Sequence, residues 1–356
     1  MIPRVVHLAS GREWRGGQRQ VWLLARELAR LDVAQTVVTG AGTELAQRLT
    51  AAGIPTRPVR WSAGADPRVL PGLVRELARP GGLVHAHDAH AVTLGGLGAA
   101  LTGRPLVATR RVDFHLRRRG FWGRACRVIA ISQAVADVLV TDGIPPERIT
   151  VVHSGIVPAE LRATPKLGIR ARLALPADAQ VAVNVAALTG HKDHPTLLGA
   201  AARLVESWPR LHWVVAGDGP DRPALEALRD ELGLGSRVHF LGYLAEPARL
   251  IADADCFVMS SREEGLGTSV LDAMALGIPV ASTTAGGLPE MLQHGAGLLA
   301  PPGDPEGLAA AVARLLGDPD LVRGVTARAS QVVQQFTAAR MAASVRSVYR
   351  SCGPFP

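Results

Sequence analysis

Lysine and cysteine are scarce in this chain, and long apolar runs are missing. Only Lys166 and Lys192 interrupt a basic complement otherwise made of arginine. No stretch reaches the ~18 consecutive apolar residues that argue for a membrane span. The amino terminus also lacks the charged-then-apolar pattern of a secretory leader, so a cytoplasmic chain is expected. Cys126, Cys256 and Cys352 stand far apart, with neither paired nor zinc-type spacing. They are expected as buried thiols, not as a disulfide framework or a metal site. Repeats, low-complexity tracts and coiled-coil heptads are absent. The one loose match to G-x-G-x-x-[GA], Gly295 to Ala300, runs into a predicted strand instead of leaving one for a helix, which argues against a dinucleotide oxidoreductase.

What is present is ample core material. The chain has 356 residues, 47% hydrophobic and 20% charged. That balance belongs to a folded protein, and that length exceeds what one core usually serves, so two domains are expected. The formal charge of +8 is uneven. Up to Pro165 there are 22 arginines, no lysine and 12 acidic residues, whereas from Lys166 onward 17 basic residues face 19 acidic ones. A basic first half beside a near-neutral second half suggests that the first domain meets something anionic, such as a membrane surface or a phosphorylated saccharide; arginine-rich compositional bias is the alternative. Nucleic acid is a poorer fit, since none of its usual signatures is present.

Short β-branched runs alternate with helix-period segments, the pattern of βαβ units and parallel sheets. Predicted strands in the first half are Arg4 to Ala9, Gln35 to Thr39, Leu83 to His87, Pro105 to Thr109, Arg127 to Ile131 and Ile149 to His153. A segment after Gly155 with Pro158, Pro165 and Pro176 reads as a linker. The alternation restarts at Gln180 to Ala186 and continues with Leu211 to Ala216, Arg237 to Leu241, Cys256 to Met259, Pro279 to Thr283 and Gly297 to Ala300. A helical tail follows from Gly303. In open sheets of this type ligands bind at the carboxyl ends of the strands, so two such domains are expected to hold the chemistry in a cleft between them.

Several loops at those ends carry candidate chemistry. Gly16 and Gly17 begin a helix after the first strand, where exposed backbone amides and the positive helix end suit phosphate or sugar oxygens. Thr284 to Glu290 is a second glycine-rich helix start. In SSREEGLGTSVLDAMALG, Ser260 to Gly277, a polar glycine-containing loop leads into an amphipathic helix. Glu264 precedes that helix and Asp272 lies two turns in, a spacing that suits acceptance of hydrogen bonds from vicinal hydroxyls. Lys192, in LTGHKDH, is a compact point charge suited to a diphosphate oxygen. His85, His87 and His90 have the residue type for a metal but read as polar residues at a cleft edge, with His85 and His87 on one strand face. Asp253 and Asp255 precede a strand and read as structural. Arg110, Arg111, Phe114, Arg117, Arg118, Arg119, Phe121 and Trp122 form a basic and aromatic loop suited to anionic lipid or a phosphorylated acceptor.

These blocks together resemble a known family. REEGLGTSVLDAMALGIPVA, AGGLPE, GLLAPPGD, VVAGDGPDRPALEAL and VHFLGY are similar to the donor domain of retaining GT-B glycosyltransferases of family four. WRGGQRQV, VHAHDAHA, ATRRVDF and VIAISQAV resemble its acceptor domain, and VVHSGI its hinge. The resemblance implies two Rossmann-like α/β domains facing across a cleft. An acceptor domain of residues 1–157 would be joined by a crossing helix of about 341–356, with a nucleotide-sugar domain at 158–340. It implies a sugar contact for Glu264, a ribose contact for Asp272 in place of the family's second Glu, and a diphosphate contact for Lys192. Further donor contacts fall on Gly16, Gly17, Tyr243, Gly265, Leu266, Gly267 and Thr268. Arg110, Arg111 and His87 are acceptor or phosphate candidates. The family's second diphosphate cation maps onto Ala187, so its charge has to come from elsewhere, with Arg110, Arg111, Arg262 and His191 as candidates.

The activity so implied is retaining, metal-independent transfer of a hexose-type sugar from a nucleotide-diphosphate donor to a saccharide or lipid-linked acceptor of envelope polysaccharide or lipopolysaccharide. The departing diphosphate would take the acceptor's proton, no cofactor is expected, and peripheral contact with the inner face of an anionic membrane is anticipated. A nucleotide-sugar epimerase and a non-catalytic saccharide-binding relative are the rival readings.

Overall fold

The computed structural model describes residues 4–62, 64–79 and 81–353. It divides into two compact units, Met1–Gly155 with Phe336–Pro356, and Ile156–Gln335. The first contains strands β1 (Arg4–Ala9), β2 (Gln35–Gly40), β3 (Thr56–Val59), β4 (Gly82–Ala86), β5 (Leu106–Arg110), β6 (Arg127–Ala130) and β7 (Ile149–Val151). They form one sheet in the order β3-β2-β1-β4-β5-β6-β7, and every adjacent pair is parallel. The second unit contains β8 (Gln180–Val185), β9 (Leu211–Ala216), β10 (Val238–Gly242), β11 (Cys256–Met259), β12 (Val280–Thr283) and β13 (Leu298–Ala300). Its order is β10-β9-β8-β11-β12-β13, again all parallel.

Both sheets are doubly wound, as the alternation predicts. Strands covered by helices on both faces read as continuous apolar runs, and β9, LHWVVA, is buried at every position. The strand that sequence reading missed is β3, four residues long with Pro58 inside it. It lies at the sheet edge, where a proline without an N–H is tolerated. The proline-bearing stretch after Gly155 is folded, not a free linker. It forms the short helices Pro158–Arg162 and Ile169–Arg172, and buries Leu161 and Ile169 in the second unit. Asp253 and Asp255 anchor it: Asp253 accepts from the Ile169 N–H at 2.9 Å, and Asp255 accepts from the Arg170 guanidinium at 2.5 Å.

The last helix, Ala338–Arg350, is capped by Thr337 and buries Met341, Ala342, Val345, Val348 and Tyr349. It packs on helix Gly16–Arg30 in the first unit, whose buried face carries Val21, Leu24 and Leu28. Residues 354–356, included in the expected crossing segment, lie outside the described residues. The expectation of three separate thiols is corrected here. Cys126, just before β6, is bonded to Cys352, just after the last helix, across 226 residues of sequence. Spacing carries no trace of this pair, because only the return of the last helix brings the two together. Cys256 alone is free, with burial pushing its thiol up to about 12.

Gly155 closes the first unit beside the start of that helix. A Cβ there would lie 2.5 Å from the Ala338 Cα, and the Gln20 side chain binds both the Gly155 N–H and its carbonyl at 2.9 Å. Gly155→Ala overpacks the junction, at a cost of about 1–3 kcal/mol, and Gln20→Ala strands two buried backbone groups, at roughly 1–3 kcal/mol each. Both variants are expected to lower the midpoint of thermal unfolding; two unchanged midpoints would show that the junction is packed differently. Alkylation of the denatured protein should label one cysteine without reductant and three with it.

Candidate functional site

Strand order reverses at two places, between β1 and β4 in the first unit and between β8 and β11 in the second. Connections on either side of such a point run in opposite directions and leave a crevice at the carboxyl ends of the strands. A polar cluster lies at each.

In the second unit, the turn after β8 carries Ala187, Thr189, His191 and Lys192, and the turn after β11 carries Ser260 to Gly267. The two are stitched together through backbone. Ser260 Oγ donates to the Lys192 carbonyl at 2.9 Å, and the Arg262 N–H donates to the His191 carbonyl at 2.9 Å. Lys192 Nζ is thereby brought 2.6 Å from Glu264 Oε2, with the two side chains only 15% and 11% exposed. The Glu264 carbonyl also accepts from the Gly287 N–H at 2.9 Å, which ties the second glycine-rich turn to the same place. Asp193, next to Lys192, has a left-handed backbone with φ 47°. Its Oδ2 holds that turn by accepting from Thr196 Oγ1 at 2.6 Å and Arg262 Nε at 2.7 Å.

Helix Thr268–Ala275 starts beside this pair. Gly267 precedes it with φ 85°, and a Cβ there would lie 2.8 Å from Leu288 Cδ2, so position and conformation both require glycine. Gly265, Leu266 and Gly267 are buried, Thr268 is half-buried, and Asp272 is 1% exposed on the second turn. Tyr243 follows edge strand β10 and is exposed. Of the two cations in this unit considered for the role left by Ala187, Arg262 is engaged by Asp193, while His191 Nδ1 lies 3.3 Å from Thr189 Oγ1. His194, which sequence reading did not single out, faces Asn184 Oδ1 at 3.2 Å, and burial lowers its pKa to about 4.

In the first unit, a pocket of about 190 Å³ is lined by residues including Gly17, Gln18, His87, Arg110, Arg111 and Trp122. Beneath it three imidazoles are packed together. His7 Nδ1 and His87 Nε2 are 2.9 Å apart, and the His85 and His87 rings are 4.0 Å apart. His85 bonds Tyr349 Oη through Nδ1 and Thr109 Oγ1 through Nε2, both at 2.7 Å. Arg111 donates to His87 Nδ1 at 3.4 Å. His85 is therefore an interior residue, not the cleft-edge group expected, whereas His87, though buried, lines the pocket. His90 takes no part, and lies exposed at the wall of a second cavity with Arg12 and Trp61.

His7 was missed in the sequence; the signal for it is register, since it pairs with His85 across β1 and β4. Burial lowers the pKa of all three histidines, His7 to about 4, so the trio is neutral near pH 7. Their ring nitrogens lie within 4.8 Å of one another, the spacing of a metal-type cluster, but those of His85 and His87 are occupied by the bonds above. Burial also lowers Arg111 to about 10. The basic and aromatic loop is likewise revised. Trp122 is buried with the Arg110 guanidinium 5.6 Å from its ring, and Phe121 is half-buried. Arg117, Arg118 and Arg119 remain exposed. Among the described residues, no helix is long and apolar enough to cross a membrane.

Comparison with known proteins agrees with this architecture. Residues 166–332 match the family described as glycosyl transferases group 1, and residues 14–160 match glycosyltransferase family 4. The chain is 33% identical over 300 residues to a D-inositol 3-phosphate glycosyltransferase of Thermobispora bispora, covering 75% of this chain and 70% of that protein. It is 36% identical over 170 residues to the lipopolysaccharide core biosynthesis glycosyltransferase LpsE of Rhizobium meliloti, a match spanning about half of each, 47% and 49%. Among solved structures, the Anabaena protein HepE in complex with UDP and glucose has a TM-score of 0.86 at 22% identity, over 98% of this chain and 100% of that one. Both halves of the chain thus match, and the chain belongs to the group 1, family 4 glycosyltransferases, with the two Rossmann-like units of the GT-B fold.

Proposed function

We propose that this glycosyltransferase moves a hexose-type sugar, with retention at the anomeric carbon and without a metal, from a nucleotide-diphosphate sugar to a saccharide or lipid-linked acceptor in envelope polysaccharide or lipopolysaccharide synthesis. The observation that carries the reading is the half-buried Lys192–Glu264 pair at the β8/β11 switch point. A carboxylate and an ammonium held there supply the two things donor binding requires. Glu264 accepts hydrogen bonds from the sugar hydroxyls, and Lys192 meets the diphosphate charge that grows as the bond to the anomeric carbon breaks. Gly265, Leu266, Gly267 and Thr268 present backbone amides to the same group, and Asp272 and Tyr243 serve the nucleoside end.

The acceptor hydroxyl attacks the face from which the diphosphate leaves, and a diphosphate oxygen takes its proton, so no protein nucleophile is used. Rate enhancement comes from orientation and from preorganised charge. With Ala187 supplying no cation, Lys192 bears more of the diphosphate charge than it would beside an arginine. The pocket over His87, Arg110 and Arg111 takes the acceptor. HepE has been crystallised with UDP-glucose, which makes that donor the first to try. The relatives named for an inositol phosphate and for a lipopolysaccharide core suggest acceptors of phosphorylated or envelope type. A cytoplasmic protein touching the inner membrane face through Arg117, Arg118 and Arg119 fits such an acceptor.

A thermal-shift screen against UDP, GDP, ADP, CMP and NAD tests the donor assignment, because a ligand that binds only the native state raises the melting temperature. One nucleoside diphosphate should stabilise the protein, and stabilisation by NAD alone would overturn the reading. Lys192→Ala should slow nucleotide release from the matching sugar donor by about 10²–10³-fold, the usual cost of removing one preorganised electrostatic partner, and should lower the melting temperature by leaving Glu264 without its partner while the circular dichroism of the folded protein is kept. A near-normal rate would mean that the diphosphate is held elsewhere. EDTA should leave the rate unaltered, and the product's anomeric proton should show the donor's configuration; an inverted signal would refute retention.

A further inference from the structure

Lys192 and Glu264 stand on separate turns, 72 residues apart in sequence, and their contact depends on what holds those turns together. A second ion pair joins the same two turns. Asp193 Oδ2 accepts from Arg262 Nε at 2.7 Å, so residues 192 and 193 on one turn are laced to 264 and 262 on the other. The pairs differ in exposure: Lys192 and Glu264 are both enclosed, whereas the Asp193 side chain is 4% exposed and that of Arg262 is 61% exposed. An ion pair between two wet side chains is worth little, but a carboxylate taken out of water depends on its partners. Asp193 Oδ2 has Arg262 Nε and, at 2.6 Å, Thr196 Oγ1.

The backbone marks the same residue. Asp193 joins the single turn Gly190–Lys192 to helix His194–Leu204 with φ 47° and ψ 50°. A Cβ disfavours that left-handed region; aspartate tolerates it better than most residues, and glycine best. A side chain kept there is held by its surroundings, and such residues gather at functional sites. Here the Asp193 N–H donates to the Gly190 carbonyl and the Thr196 N–H to the Asp193 carbonyl, both at 3.1 Å, while the carboxylate reaches across to Arg262. Lys192 is the residue just before this joint, so the backbone angle at Asp193 decides how the lysine is aimed from the helix. Arg262 is fixed at the other end. Its N–H donates to the His191 carbonyl at 2.9 Å, its Nε closes on Asp193, and its Nη2 faces the turn at Gly303, where a Cβ would lie 3.5 Å away.

We propose that Asp193 and Arg262 are positioning residues: their ion pair latches the turn after β8 to the turn after β11 and so sets where the Lys192 ammonium stands relative to Glu264. The inference rests on the donor role given to Lys192 and Glu264 above. It also gives Arg262, one of the cations considered for the charge absent at Ala187, the task of holding the turns and not that of meeting the diphosphate. Without either side chain the turns remain joined through Ser260 Oγ and the Arg262 N–H, so the loss is one of aim and not of fold.

The scarcity of lysine supplies a direct readout. In trace acetylation of the intact protein with acetic anhydride, followed by peptide mass spectrometry, exposed Lys166 is the internal reference for Lys192, which is enclosed against Glu264. Asp193→Gly removes the carboxylate where the backbone favours glycine, and Arg262→Gln removes the charge. Each should raise the labelling of Lys192 relative to Lys166 by about threefold or more, a partial loss of a charge-assisted hydrogen bond. Each should also lower kcat for hydrolysis of UDP-glucose by about 10–10²-fold, the cost of misplacing a group by about an ångström, with KM changed little. The double variant should lose no more than the worse single one, because the two side chains act as a unit. Arg262→Lys keeps the charge and should recover part of both effects; with Arg262→Gln it carries the measurement if Asp193→Gly does not fold. Arg210→Gln, which breaks an exposed pair with Asp178 in the same unit, should change neither readout. Unchanged Lys192 labelling in the latch variants would overturn the proposal. So would additive losses in the double variant, or a fall in UDP affinity with Arg262→Gln that Asp193→Gly does not share, since the arginine would then meet the diphosphate itself. If UDP-glucose is neither bound nor hydrolysed by the unaltered protein while the labelling responds as expected, the donor reading falls and the latch stands.

Discussion

A parallel strand can bond its neighbour only after the chain has crossed back over the sheet, so every strand ends at the same edge and every connection leaves from it. In both sheets the crossings change direction beside the first strand, and the loops there diverge. That constraint gathers the polar residues. Ser10, Gly17, His87 and Asp88 meet because β1 and β4 are neighbours; Lys192 and Glu264 meet because β8 and β11 are. Neither cluster is local in sequence: His7 and His87 are 80 residues apart, and Lys192 and Glu264 are 72 apart. Strands that stay apolar along their length leave the loops free to carry function, and the helices on both faces supply the burial that keeps the loop ends in place.

The two clusters treat charge differently. In the second unit the Lys192 ammonium and the Glu264 carboxylate neutralise each other. In the first unit the histidines are held neutral by burial, and the charge of Asp88 acts on Arg111 beside the same pocket. The excess of arginine in the first half is therefore partly directed inward at Arg110 and Arg111, and partly displayed outward at Arg117, Arg118 and Arg119.

Central strands were legible to within a residue or two, because full burial writes an apolar run that nothing else explains; β1, β9 and β11 have the bounds that periodicity predicts. Edge strand β3 was not, since an edge tolerates Pro58 and half-exposed residues and so loses the pattern. Glu264, Lys192 and the glycine turns could be picked out because each sits where a strand run stops. His7 could not, being one polar residue inside an apolar strand whose partner is fixed only by sheet order. Phe121 and Trp122 looked like surface aromatics because they neighbour arginines, yet a loop can turn its rings inward while its charges stay wet. The cysteine pair was illegible for a similar reason: its closeness is a product of topology.

That topology makes the second unit an insertion. The chain leaves the first unit at Gly155, builds all of Ile156–Gln335, and only then supplies Phe336 onward. The first unit's sheet is synthesised early, but the face of helix Gly16–Arg30 that receives the last helix must wait, uncovered, until some 180 further residues have left the ribosome. Once Cys126 and Cys352 are joined, the inserted unit hangs from a closed covalent ring. A protease that cuts that ring once opens it without detaching anything, and the second unit is released only when both of its connections are severed.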